Sequence, residues 1–170
     1  MGSRPQIVAF GGGGFSMEPG NRLLDDYVLS LPGVDRPRVC FVPTASGDAG
    51  ITKSRGQAEP VEGLGLLPGS LSVHYDSEPE RRPAFLSAIA SGMVPEGFGA
   101  DDGVGLLFRD GRLQRVVASR PSARCTRVRR LDGHAVEQPV PVEVLADPDP
   151  QLAPVDIREF RAARRARIGR

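Results

Sequence analysis

The sequence contains no tryptophan, two cysteines, two histidines and, among its 22 basic residues, a single lysine, Lys53. Cys40 and Cys125 lie far apart within apolar or β-branched runs, which predicts buried thiols in a reducing compartment rather than a disulfide scaffold. The net charge of +1 gives no overall field of the kind that marks a nucleic-acid or membrane binder. No apolar run reaches the length of a signal-peptide core or a membrane span. We therefore expect a cytoplasmic protein.

Composition and the positions of the prolines predict one main domain. Apolar residues make up 39% and charged residues 25% of 170 residues, which is typical of a globular chain that buries a real core. We expect an α/β domain over residues 1–141. Five prolines between positions 139 and 154 interrupt regular structure. The remaining residues, 142–170, are predicted to form a proline-rich linker and an arginine-rich tail or short helix.

The first third of the chain has a strand–helix–strand pattern. Residues 7–10 are an apolar run that ends at four glycines, which indicates a buried strand leaving into a tight loop. Residues 23–31 carry apolar side chains at helical spacing after Asn21, a plausible N-cap. Residues 38–42 again have the composition of a buried strand. This order with short connections predicts a mostly parallel sheet covered by helices.

The second half adds further strands. Residues 70–75 are predicted to form a strand and residues 82–93 a helix. Three strand-like pieces follow, with Asp-Gly pairs at two of the turns, and this pattern predicts an antiparallel hairpin or meander. The three pieces are residues 103–108, 113–118 and 124–130.

The chain has few side chains that could carry chemistry. The glycines at 11–14 could cradle a phosphate, but the third glycine of the dinucleotide fingerprint and the P-loop lysine are absent, so a tight strand exit is favoured. His74 ends a predicted strand and could act as a general base, although a structural histidine is equally compatible with composition alone. His134 follows a turn signal and is expected on the surface.

The charged residues near His74 allow two further functional readings. Three acidic residues follow it at positions 76, 78 and 80, but their spacing matches no metal-ligand pattern, so no metal or other cofactor is expected. Arg81 and Arg82 could bind a carboxylate in bidentate fashion, while a solvated charge pair at a helix start is the simpler explanation. The arginines after position 124 have no interleaved aromatic residues. A solvated strand face and tail are therefore favoured over nucleic-acid binding.

Six stretches, in order, carry a resemblance that covers roughly residues 5–138. They resemble the peptidase E family of serine peptidases, which includes aspartyl dipeptidases. The stretches are Ile-Val-Ala-Phe-Gly-Gly-Gly-Gly-Phe at 7–15, Val-Pro-Thr-Ala-Ser-Gly-Asp at 42–48, Gly-Leu-Gly-Leu-Leu-Pro-Gly-Ser at 63–70, His-Tyr-Asp-Ser-Glu-Pro-Glu-Arg-Arg-Pro at 74–83, Asp-Asp-Gly-Val at 101–104 and Ser-Arg-Pro at 119–121.

The resemblance implies a fold and a set of roles. The fold would be a three-layer α/β/α sandwich with a mostly parallel central sheet, like that of class I glutamine amidotransferases. His74 would be the histidine base, and Arg81 or Arg82 would bind the acidic group of a small acidic peptide. We expect Gly12 and Gly13, in the first matching stretch, to contribute to substrate binding.

The departures from the family pattern concern the nucleophile. The family's Gly-Gly-Gly-Asn segment and its Gly-x-Ser-Ala-Gly elbow belong between Asp48 and Ile51, and neither is present. Lys53 stands where a candidate acidic member of the triad would be. An internal deletion near 48–51 would also shorten the sheet, so that a homo-oligomer could cover its exposed apolar faces. Covalent catalysis needs nucleophile and base within hydrogen-bond reach.

Three hypotheses follow. The leading one is a peptidase-E-like protein without dipeptidase activity. The second is an active hydrolase in which another serine serves as nucleophile, the conceivable ones being Ser46, Ser54, Ser70 and Ser72. The third is a non-catalytic module that binds acidic small molecules or peptides through Arg81 and Arg82.

Overall fold

The computed structural model describes residues 6–14, 18, 20–40, 42 and 64–146. Within these ranges it contains two helices and eight strands. In chain order they are β1 (Gln6–Phe10), α1 (Leu23–Ser30), β2 (Ser70–Ser72), α2 (Arg81–Ser91), β3 (Gly97–Ala100), β4 (Val104–Arg109), β5 (Arg112–Ala118), β6 (Cys125–Leu131), β7 (His134–Val140) and β8 (Glu143–Val144).

The strands form two sheets of four. The first has the order β1-β4-β5-β8, in which β4 is antiparallel to both β1 and β5 and the short β8 is parallel to β5. The second has the order β2-β3-β6-β7, in which only β2 and β3 are parallel. The expected three-layer α/β/α sandwich with a mostly parallel central sheet is therefore wrong. The fold is mostly β, and its sheets are mostly antiparallel.

The error lies in the strand–helix–strand interpretation of the first third. β1 pairs with β4, which lies about a hundred residues later in the chain, at a register of Gln6 opposite Arg109. Residues 38–40 and 42, predicted as the next strand, belong to no strand. The parallel unit that the described residues do contain is β2–α2–β3, where a helix connects the paired strands as parallel pairing requires.

Two Asp-Gly turns explain why hairpins dominate the second half. Asp110 and Gly111 have φ of 51° and 71°, and they separate the paired residues Arg109 and Arg112. The Asp132-Gly133 turn between β6 and β7 repeats this geometry. Two central residues with positive φ match the right-handed twist of paired antiparallel strands. The three predicted strand pieces between 103 and 130 are present as β4, β5 and β6.

The larger core joins the two sheets. Side chains of β4 and β5 pack with residues at the facing ends of β3 and β6, and all are buried. The cluster consists of Ala100, Val104, Leu106, Phe108, Val116, Ala118, Ala123 and Cys125. Because β3 and β4 are separated by only three residues, the chain passes from one sheet into the other at this core.

Helix α2 covers the second sheet. Its Phe85 and Ile89 pack with Tyr75 and with Val128 of β6 in a smaller cluster. The helix ends at Gly92, whose φ of 76° gives the left-handed C-cap that glycine accepts without a steric penalty. No helix in the described ranges is long and apolar enough to cross a membrane.

The two cysteines differ in environment. Cys125 is buried in the larger core, whereas Cys40 is exposed, so the expectation that both thiols are buried is wrong for Cys40. The apolar run around Cys40 was read as a buried strand. Without strand pairing at residues 38–40, nothing covers its side chain among the parts that the structure describes. Burial raises the pKa of the Cys125 thiol to about 12, and the nearby Asp101 carboxylate adds to that shift.

Candidate functional site

His74 lies just after β2, where the second sheet meets the glycine loop of the first. Its φ is 55°, an uncommon conformation for a residue with a side chain. Its backbone N–H donates a hydrogen bond of 2.6 Å to the carbonyl oxygen of Gly11. This bond ties the end of β2 to the loop that leaves β1. A strained non-glycine residue at a junction of elements is a common feature of functional sites.

The imidazole of His74 pairs with a carboxylate. His74 Nδ1 lies 2.5 Å from Asp102 Oδ1, and the two side chains are 24% and 21% exposed. A carboxylate accepts a hydrogen bond, so this pairing assigns the proton to Nδ1 and leaves the lone pair on Nε2. No described residue donates to or accepts from Nε2. The pair therefore has the orientation of a histidine base or nucleophile with its carboxylate partner.

The backbone around Asp102 is held from two sides. The N–H of Asp102 donates to Asp76 Oδ1 at 2.9 Å, and the next amide, of Gly103, donates to the carbonyl oxygen of Gly12 at 2.8 Å. These bonds fix the short connection between β3 and β4 against both the His74 turn and the glycine loop. The carboxylate is thus placed by hydrogen bonds that do not involve its own oxygens.

Asp101 is buried beneath this connection. Its Oδ2 accepts the Arg124 amide at 2.9 Å. Burial raises the pKa of the Asp101 carboxyl, while the hydrogen bond from Arg124 opposes the shift. Asp76 and Asp102 are close enough to raise this pKa further. Although three carboxyls adjoin His74, the described residues contain no group of acidic, histidine or cysteine side chains that could hold a metal ion.

The glycine loop fits against the histidine–aspartate pair. Gly12 has a φ of 143° and Gly13 of 81°. A Cβ added at Gly12 would lie 2.0 Å from Asp102 Oδ1 and 2.8 Å from the His74 ring. Only glycine therefore fits at position 12 beside the intact pair. In the described part of the chain the amides of Gly12 and Gly13 donate no hydrogen bond, and their expected role in substrate binding stays a prediction.

A second polar group closes the other side of the loop. Ser119 is buried, and its Oγ donates to Glu18 Oε2 at 3.0 Å. Arg120 Nε lies 2.8 Å from the second Glu18 oxygen. A Cβ at Gly103 would meet both Ser119 and Arg120 within 3 Å. Sequence reasoning noted the Ser-Arg-Pro stretch but assigned these side chains no role.

Arg81 and Arg82 each form an ion pair within the chain. Arg81 Nε donates to Glu78 Oε2 at 2.6 Å. Arg82 donates through Nη2 to Glu137 Oε2 of β7, also at 2.6 Å. The structure does not place either guanidinium in contact with His74 among the residues it describes. Their expected role toward an acidic ligand stays a prediction.

Glu137 has a second partner. Tyr75, the residue after His74, donates its hydroxyl to Glu137 Oε1 at 2.8 Å. Burial and then this hydrogen bond raise the pKa of the Tyr75 phenol. Sequence reasoning had no signal for this bridge, because Glu137 is more than fifty residues from both partners.

The serines considered as substitute nucleophiles do not reach the histidine where they are described. Ser70 Oγ donates to the Pro95 carbonyl oxygen at 2.5 Å, and Ser72 is buried on β2. Ser46, Ser54 and Lys53 lie outside the described residues. His134, at the start of β7, is exposed as expected.

Two grooves of the described surface lie elsewhere. One, of about 690 Å³, is lined by the end of α2 and the β6–β7 turn, including Met93 and Arg130. Another, of about 220 Å³, is lined by Ile7, Leu67 and the β4–β5 turn. Neither is lined by His74 or Asp102, whose side chains are partly exposed.

Asp102 is the candidate site residue that sequence reasoning missed. The family pattern placed the acidic member in the segment around Lys53, and the Asp-Asp-Gly-Val stretch was used only as part of the resemblance. A signal was available, because Asp102 follows β3 as His74 follows β2, and parallel neighbours present their carboxyl ends at one edge. Using it required knowing that β2 and β3 are parallel.

The comparisons with known proteins give one relative. The chain is 28% identical to the uncharacterized peptidase YgaJ of Bacillus subtilis over 227 residues, covering 82% of the chain and 99% of the relative. No protein-family model matches the chain, and no solved structure matches it. The alignment of 227 residues is longer than the 170-residue chain, so it contains positions at which this chain has no residue.

Proposed function

We propose that this protein is a peptidase-like protein of the peptidase E kind that keeps the base of a serine peptidase site and has lost dipeptidase activity. The observation that carries the proposal is the His74–Asp102 pair. Its Nδ1–H is directed to a carboxylate and its Nε2 is unoccupied by any described serine hydroxyl. A base in this state has its orienting partner and lacks the group that it would activate.

The comparison supports the peptidase part of the proposal. The relative that aligns over 99% of its own length is named a peptidase, which supports a peptidase-like function in general. The alignment also contains positions that this chain lacks, about 88 of them, because 82% of 170 residues is about 139 and the alignment spans 227 positions.

The architecture supports the loss of peptide hydrolysis on independent grounds. A nucleophile elbow is a sharp turn between a strand and a helix that presents its serine above a parallel sheet. In the described residues the parallel unit with a crossover helix is β2–α2–β3, and its strand-to-helix connection carries His74. The serine of an elbow would need a further strand, which the described sheets do not provide.

The direct test is hydrolysis of an Asp-X dipeptide by the full 170-residue chain. Cooperative unfolding in urea should first establish that the chain and its His74→Ala variant are folded. We expect no hydrolysis above background from either protein, and no covalent labelling by a serine-directed phosphonate. Dipeptide cleavage that His74→Ala abolishes would overturn the proposal. Labelled serine would then identify the substitute nucleophile, with Ser46, Ser54, Ser70 and Ser72 as the first positions to map.

A further inference from the structure

We infer that His74 is itself a nucleophile, and that the chain hydrolyses activated aryl esters of small carboxylic acids through an acyl-imidazole at His74 Nε2. This activity goes beyond the proposed loss of dipeptidase activity and does not depend on it.

The pair prepares Nε2 for attack. Because Asp102 Oδ1 lies 2.5 Å from Nδ1, the ring proton is held on that nitrogen and the lone pair stays on Nε2. The carboxylate also stabilises the positive charge that develops on the ring when Nε2 forms a bond. The position of the carboxylate is fixed by the hydrogen bond from the Asp102 amide to Asp76 and by the bond from the next amide, of Gly103, to the Gly12 carbonyl oxygen. The ring is therefore oriented before a substrate arrives.

The ring is reachable by a small ester. The His74 side chain is 24% exposed, and no described residue occupies hydrogen-bond distance of Nε2. Gly12, at which an added Cβ would lie 2.8 Å from the His74 ring, donates no hydrogen bond from its amide within the described ranges.

The reaction balances with water as the only co-reactant. Nε2 attacks the ester carbonyl carbon, the new N–C bond forms, and the bond from that carbon to the aryl oxygen breaks with its electron pair leaving as the aryl oxide. The Nδ1 proton passes through Asp102 to solvent, which leaves a neutral acyl-imidazole. Water then adds to the acyl carbon, the N–C bond breaks, and the carboxylic acid departs while Nδ1 is reprotonated.

Leaving-group chemistry separates this activity from peptide hydrolysis. An aryl oxide leaves as a stable anion and needs no proton. A peptide amine must be protonated before it leaves, and a lone imidazole already bonded to the acyl carbon cannot deliver that proton. An oriented histidine without a serine can therefore turn over an activated ester while peptides remain intact.

The test measures p-nitrophenyl acetate hydrolysis by the full chain. The matched control is provided by the sequence, because His134 is the one other histidine and is exposed on β7. We expect wild type and His134→Ala to react at the same rate. His74→Asn should be slower by about 100-fold, the low end of what a positioned acid–base group contributes. Asparagine tolerates positive φ, so this variant keeps the local backbone.

Two further measurements identify the mechanism. The rate of ester hydrolysis should also fall by about 10-fold in Asp102→Asn. An amide can donate to Nδ1 and force the ring proton onto Nε2. Mass spectrometry of a rapidly quenched reaction should find the acetyl group on the peptide containing His74. A wild-type rate no higher than that of His74→Asn, or acetyl on the His134 peptide alone, would overturn the inference while leaving the dipeptidase result unaffected.

Discussion

Replacing Gly12 by alanine should break the histidine–aspartate pair from the glycine side. The added Cβ would lie 2.0 Å from Asp102 Oδ1, and distances below 3.0 Å are essentially never seen, so Asp102 must move away from His74. Alanine at a φ of 143° is strained by about 1–3 kcal/mol. The loss of a hydrogen bond to a charged group adds about 1 kcal/mol, below the range of about 1.5–3 kcal/mol for such bonds, because both side chains are partly exposed to solvent. We expect a total destabilisation of about 2–4 kcal/mol.

The assay is urea unfolding of the full chain, with Gly133→Ala as the control. Gly133 also has positive φ, 79°, but a Cβ there would meet nothing within 4 Å. The Gly133→Ala variant should lose only about 1–2 kcal/mol of stability, which is the cost of the backbone strain. Ester hydrolysis should fall in Gly12→Ala and stay unchanged in Gly133→Ala. Equal stability loss in the two variants, with unchanged ester hydrolysis in both, would refute the close fit of Gly12 against the pair.

Two further predictions concern buried titratable groups. Burial raises the pKa of the Asp101 carboxyl, so the folded state holds its proton more tightly and stability should fall as pH rises from the unfolded value of about 3.9. Asp101→Asn, whose Oδ1 can still accept the Arg124 amide, should therefore gain stability relative to wild type between about pH 4 and about pH 7 in urea titrations; a constant difference would contradict the desolvation argument. Because Cys125 is buried and its pKa is near 12, it should resist a disulfide reagent that reacts with the exposed Cys40. The reagent should therefore modify one thiol in the folded chain and two after denaturation. Rapid reaction of both thiols in the folded chain would contradict the buried core position.

Local signals in the second half of the sequence predicted its elements well. The Asp110-Gly111 and Asp132-Gly133 pairs lie at hairpin turns because two adjacent residues with positive φ suit few other dipeptides. The helix predicted over 82–93 is present as Arg81–Ser91. These features depend on neighbours in sequence, so a sequence can indicate them without any knowledge of the sheet.

Long-range pairing was not predictable in the same way. The apolar run of β1 does not indicate whether its partner is β4 or a strand next in sequence. Its intermediate burial pattern fits both the antiparallel pairing with β4 and a parallel pairing with a nearby strand. The family resemblance then favoured a parallel sheet that the described residues do not have. His74 was found from its type and its place after a strand, whereas Asp102 depended on the pairing of β2 with β3.

The bridge from Arg82 to Glu137 has a consequence for any attempt to detect an acidic ligand. Glu137 is a competitor that never diffuses away, and even a loosely tethered group has an effective concentration on the order of millimolar. A dissolved dipeptide must exceed that concentration before it displaces the Glu137 carboxylate from Arg82. Titrations that stop in the micromolar range would therefore find an unresponsive arginine whatever its intrinsic affinity for carboxylates, and Glu137→Gln is the background in which that affinity becomes measurable.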